Sequence, residues 1–161
     1  MNFDQSILKP GHLLLYRASS IFGYAIAAFS GSRISHIEMY KGGGISYASR
    51  DGIGVNEYPL RLNDLDLVLE TRRPLDMARV AKGFAGKKGH RFDYVTMLKH
   101  ATFGLVGGKP MAEVCSEVQA YLVRVGGIEE AFGDKQPDEV KPSDFVDAMN
   151  HGVFRKVWEN V

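Results

Sequence analysis

"SHIEMYKGGGISYASRDGIGVNEYPL" (residues 35–60) sets the architecture of this chain. "SHIEMYK" (35–41) has the alternation and bulk of a strand, and Gly42, Gly43 and Gly44 form a turn. "ISYAS" (45–49) then reads as the hairpin partner of the first strand. "RDG" (50–52) makes a second turn, and "IGVNEYPL" (53–60) alternates as a third strand. Three strands joined by turns too short for a crossover must run antiparallel.

The same signals extend outward. "HLLLYR" (12–17) follows Pro10 and Gly11 and reads as a buried strand, and "LDLVLE" (65–70) adds another before Pro74. Between them, "IFGYAIAAF" (21–29), capped by Ser19 or Ser20 and ended by Gly31, is a short helix apolar on nearly every side; burial is expected for it. The second half changes period. "PLDMARVAKGFAGKK" (74–88) spaces Leu75, Val80, Phe84 and Ala85 helically, with Gly86 or Gly89 to close it. "FDYVTMLKHATFGL" (92–105) reads as another helix. "VCSEVQAYLVRV" (114–125) places Val114, Val118, Tyr121, Leu122 and Val125 on one face, and Gly126 and Gly127 stop it. "EEAFGDKQPDEVKP" (129–142) is a polar loop, "PSDFVDAM" (142–149) a short helix with a Ser143 cap, and "GVFRKVW" (152–158) a last strand. The expectation is one α+β domain over residues 1–161, an antiparallel sheet packed against helices gathered in the second half.

Composition narrows the function. The 161 residues are 45% hydrophobic and 24% charged, with a formal net charge of +1, so nothing points to nucleic acid or an acidic membrane surface. The basic stretch from Arg79 to Arg91 reads as the wet side of a helix and its exit loop. No stretch approaches the roughly 20 apolar residues of a membrane span, so no integral membrane contact is expected. The N-terminus lacks a basic leader and an apolar core, which makes a cytoplasmic protein the expectation. One cysteine excludes an internal disulfide. The five histidines include no pair three or four residues apart, so neither a metal nor another cofactor is expected.

The single cysteine, Cys115, is either a small buried hydrophobe or a nucleophile. The second reading needs a base. His36 opens a strand straight after the polar "SGSRIS" (30–35), and Glu38, two positions on, projects to the same face. Tyr47, on the neighbouring strand, is a second group able to approach the ring. From these residues alone, an orienting pair and a solvent-facing His with a surface Glu stand level.

The order of "KPGHLLLYR", "SGSRISHIEMY", "ISYASRDGIGV", "GHRFDY" and "EVCSEVQAYLVRVGG" resembles the circularly permuted branch of the NlpC-type, papain-like cysteine peptidases, from about Pro10 to about Met149. In that branch the catalytic His precedes the nucleophile, whose helix commonly begins with "CSE", as at Cys115, Ser116 and Glu117. The resemblance implies a permuted papain-like fold, Cys115 as nucleophile and His36 as general base. It puts the third, ring-orienting group at Tyr47, with Glu38 of the "SHVE"-like motif as the competing member. It also makes Tyr94, in "FDY", a substrate-facing residue.

The activity implied by this resemblance is that of a cysteine amidohydrolase, with peptide or muropeptide, the peptidoglycan stem, as leading substrate. A chain without an export signal would reach that substrate through wall-recycling fragments or a phage route, which implies association with a phage particle. The alternatives are an acyltransferase or lipid-directed enzyme of the same superfamily, with 21–29 binding an acyl chain, and a non-catalytic virion or partner-binding module with this fold.

Overall fold

The computed structural model describes residues 3–19, 23–24, 27–28, 31–50, 52–91 and 115–160. Six strands form one sheet: β1 (Leu13–Arg17), β2 (Ile34–Gly42), β3 (Ile45–Arg50), β4 (Gly54–Pro59), β5 (Leu65–Thr71) and β6 (Phe154–Glu159). Their order is β4-β3-β2-β1-β5-β6, and every neighbouring pair is antiparallel. The 35–60 stretch is thus one half of the sheet. β6 returns from the C-terminal end of the described chain to flank β5.

Among the described residues, three helices follow the sheet's first five strands: α1 (Met77–Lys87), α2 (Cys115–Val125) and α3 (Pro142–Asn150). α1 begins where Asp76 accepts hydrogen bonds from the Ala78 and Arg79 amides. Val80 and Phe84, four apart, are its buried stripe, whereas Ala85 is exposed. Gly86 lies inside the helix and Gly89, at φ +89, follows it. α3 starts at Pro142 with the Asp144 carboxylate accepting from the Lys141 amide, so Ser143 is not the cap. The polar loop before it contains two short 3-10 turns, Glu129–Phe132 and Pro137–Glu139, and it buries Ala131 and Phe132.

The sheet carries apolar residues on both faces. Leu13, Leu15, Ile37, Met39, Tyr47 and Leu69 meet Val80, Phe84, Val118, Leu122 and Phe145 in the main core under the helices. Leu8, Leu14, Tyr16, Leu65 and Val68 form a smaller cluster, covered in part by Phe3 and Trp158. The outer edge at β4 is closed by the chain after α1: the Val55 amide donates to the His90 carbonyl at 2.8 Å, and Gly89 to Val55 at 2.9 Å. Gly54, at φ +98, permits this approach, because a Cβ there would stand 2.1 Å from the His90 carbonyl oxygen.

The apolar 21–29 segment departs from expectation. Of its described residues, Gly23 is buried, but Tyr24 is 64% exposed and Ala28 is also exposed. Positions four apart share a helical face, and here that face meets solvent. The helix expected over 92–105 lies outside the described residues. Among the described residues no helix is long and apolar enough to cross a membrane.

Candidate active site

β2 and the start of the described part of α2 meet at Ser35–Ile37. α2 is held against the sheet by Val118, Leu122 and Val123 in the core, and by Gln119, whose Nε2 donates to the Tyr47 carbonyl of β3 at 2.9 Å. Gln119 is fully buried and sits one turn beyond Cys115, so this bond sets the height of the helix on the sheet. Cys115 is 4% exposed, with its sulfur 4.0 Å from the Ser35 carbonyl oxygen.

The sulfur also hydrogen-bonds the His36 ring and takes backbone N–H donation from Ile37 and Ser116. Burial pushes the thiol pKa up, but the His36 charge and hydrogen bond, with those two amides, bring it below its ordinary value. Burial likewise pulls the imidazole down. The thiolate, and after it Glu38, outweigh that and raise His36 to about 9. The two shifts run together, toward thiolate and imidazolium, because the charge on each group stabilises the charge on the other.

The other side of the ring is occupied by Glu38, whose Oε1 lies 3.0 Å from His36 Nε2. That leaves Nδ1 for the sulfur. Glu38 is fully buried, yet its carboxylate is well supplied with donors. Arg50 Nε donates to Oε1 at 2.9 Å and Arg50 Nη2 to Oε2 at 3.1 Å, while the Ser46 hydroxyl donates to Oε2. Burial raises the carboxyl pKa, but His36, Arg50 and Ser46 hold it down at about 2.

The strand register explains these partners. Met39 pairs with Tyr47 and Tyr40 with Ser46. Side chains alternate along a strand, so Ser46 and Arg50 share the face of His36 and Glu38, while Tyr47 shares that of Ile37 and Met39. Continuing the register puts Ala48 opposite Glu38, with Ser46 and Arg50 as its diagonal neighbours. The Tyr47 expectation is corrected here. Its ring is 3% exposed and stacks on Phe84 at 4.1 Å between centroids, inside the main core.

Of the residues singled out from sequence, Cys115, His36 and Glu38 come together, Tyr47 does not, and Tyr94 lies outside the described residues. Ser46, Arg50 and Gln119 lie inside "ISYASRDGIGV" and "EVCSEVQAYLVRVGG", but nothing in the sequence alone assigns them a role. The even positions of "ISYASR" (45–50) are Ser46, Ala48 and Arg50, and two polar residues on one face of a strand were the available signal for Ser46 and Arg50. Chemically, the cluster places a buried thiol of lowered pKa beside an imidazole that a carboxylate holds on its other side.

No family model matches the chain, and no curated protein matches it. Its fold is similar to that in the crystal structure of the metalloprotein yiiX from Escherichia coli O157:H7, with a TM-score of 0.63 and 17% identity over 94% of this chain and 97% of that one.

Proposed function

We propose that this chain is a cysteine-dependent hydrolase of amide bonds, built on a permuted NlpC-type, papain-like fold, with peptidoglycan stem peptides as its leading substrate class. One observation carries the reading: the thiol, the imidazole and the carboxylate come together in series, Cys115–His36–Glu38, and His36 lowers the pKa of the thiol. In this mechanism the thiolate attacks the carbonyl carbon. The His36 imidazolium delivers its Nδ1 proton to the leaving amine, which departs as the thioester forms. Neutral His36 then takes a proton from water, the resulting hydroxide equivalent attacks the thioester, and the sulfur leaves as thiolate, which restores the pair with protonated His36. Glu38 keeps the ring in plane and balances its charge without becoming protonated itself.

The solved neighbour is called a metalloprotein. Among the described residues of this chain, no group of three or more His, Cys, Asp or Glu side chains is arranged to hold a metal ion. Both ring nitrogens of His36 and both oxygens of Glu38 are already engaged within the protein. The residues present do not fit a metal at this cluster, and no step runs through one.

A second reading, acyl transfer or ester hydrolysis on a lipid-like substrate, is favoured by the exposed Tyr24 in the apolar 21–29 segment. Activity-based labelling of Cys115, followed by turnover assays on muropeptides and on acyl esters, separates the two. Cleavage of muropeptides that is lost in Cys115→Ala supports the first. Turnover of acyl esters alone replaces it with the second, and no turnover of either class removes both.

A further inference from the structure

The charges around Glu38 do not cancel. Cys115 and His36 neutralise one another, and Arg50 neutralises Glu38 through two direct hydrogen bonds. That leaves Arg61. Its Nε stands 3.7 Å from Glu38 Oε1, outside hydrogen-bond range of a carboxylate whose oxygens are already taken by His36, Ser46 and Arg50. Its side chain is 41% exposed. Among the described residues, no acidic group other than Glu38 pairs with it.

The guanidinium is nonetheless held in place. Its Cζ lies 4.5 Å from the centroid of the Tyr16 ring, and the Tyr16 hydroxyl donates to the Arg61 carbonyl oxygen at 3.1 Å. Tyr16 is 1% exposed, pairs with His36 across β1 and β2, and keeps its ring centroid 5.8 Å from that of the imidazole. One buried tyrosine therefore fixes a half-exposed cation at a set position beside the reacting ring. A flat guanidinium with free donors is suited to a carboxylate, which it meets through two parallel bonds.

We propose that Arg61 is a specificity residue that binds a carboxylate of the substrate, so that this site acts on acidic peptides or acyl-amino acids in preference to neutral ones. The proposal rests on the reading of Cys115 as nucleophile and names its substrate class. Because the cation is partly exposed, the preference weakens as salt rises.

The test uses the full chain and two thiol reagents of nearly equal size, the α-amides of N-iodoacetyl-glutamate (one carboxylate) and of N-iodoacetyl-glutamine (none), with the rate of Cys115 alkylation as readout. At low ionic strength the wild type is expected to react about two- to fivefold faster with the acidic reagent, the range of one partly screened charge pair. Arg61→Gln should erase that ratio while its rate with the neutral reagent stays within about twofold, and Arg61→Lys should keep part of it by retaining the charge. An unchanged ratio in Arg61→Gln overturns the proposal. So does an equal fall with both reagents, which would mean that Arg61 acts through Glu38 rather than on the ligand. Alkylation no faster than that of a free thiol with the neutral reagent defeats the nucleophile reading instead, and the acidic-to-neutral ratio still reports on Arg61.

Discussion

His12 and His36 flank β1 at its two ends, His12 just before Leu13 and His36 opposite Tyr16, and each has a glutamate nearby. Their protons are handled in opposite ways. His12 is 4% exposed, and its Nδ1 accepts from the Lys9 amide at 3.3 Å, so that nitrogen must be bare. Glu70 stands 3.5 Å from its Nε2 but is bonded to Arg155. Burial lowers the His12 pKa, and the attraction of Glu70 does not reverse it against Lys9 and Arg155. His36 instead lies between two anions, neither of which faces open solvent, and is raised to about 9. The lesson is that a His–Glu pair has no fixed meaning. Burial lowers both rings, and what decides the outcome is whether neighbouring anions outweigh it, as Cys115 and Glu38 do at His36 and Glu70 alone does not at His12.

The largest break in this contrast should come from removing each ring. In His36→Ala, alkylation of Cys115 by iodoacetamide at pH 6–7 should slow by about tenfold or more, since the thiolate fraction falls about tenfold for each whole step by which the thiol pKa rises. His12→Ala should leave that rate within about twofold. Similar losses in both variants would mean that the thiol is governed by general burial and not by its partner. Cys115→Ala should lose labelling and turnover altogether.

Glu38→Gln should reduce turnover by an order of magnitude or more and cost about 3 kcal/mol of stability, the lower end for breaking a buried ion pair, because it leaves Arg50 without its carboxylate. Chemical denaturation checks the second figure. The sign of the pH dependence comes from the direction of each shift. Glu38 is lowered from 4.5 to about 2, so its contribution is complete above pH 4.5 and disappears as pH falls toward 2. His36 is raised from 6.5 to about 9, so its contribution is complete below pH 6.5 and disappears as pH rises through 9. His12, lowered from 6.5, opposes folding as pH falls below that value. Titration of the ring protons by NMR sharpens the point: His36 should stay protonated through neutrality, while His12 should titrate below 6.5. Coincident titrations would erase the contrast between the two ends of β1.

The smallest effect belongs to Tyr47→Phe. The Tyr47 ring stacks on Phe84 and its strand face is turned from His36, so turnover should change by less than about twofold, and stability by about 0.5 kcal/mol or less, as for a change that leaves ring packing intact. A loss as large as that of Glu38→Gln would return Tyr47 to the reacting group.

Much of the fold is legible along the chain. The strands of 12–17, 35–60 and 65–70 and the helices of 74–88 and 114–125 announce themselves by periodicity and turn residues, because each reflects a local choice between faces of one element. The 21–29 segment is less legible. Its composition is apolar all round, and only the surroundings determine that Tyr24 is left at the surface. Ala85 fails the helical pattern for the same reason: its spacing is compatible with the stripe, but it is left exposed.

The residue types of the site, a lone Cys and a His–x–Glu strand, are properties of the sequence alone, and so is the face that His36 and Glu38 share. Which strand face Tyr47 takes depended on hairpin register. A shift of one residue exchanges the two faces, and three consecutive glycines leave the turn free to set either. The approach of Cys115 to His36, the Arg50 and Ser46 bonds to Glu38, and the surplus charge of Arg61 join segments distant in sequence. They exist only once α2 is laid on β2 and β3 and the chain after β4 folds back over Tyr16. Charge states were decided at the same level, because a pKa answers to burial and to neighbouring charges, both of which the folded chain creates and neither of which a string of residues contains.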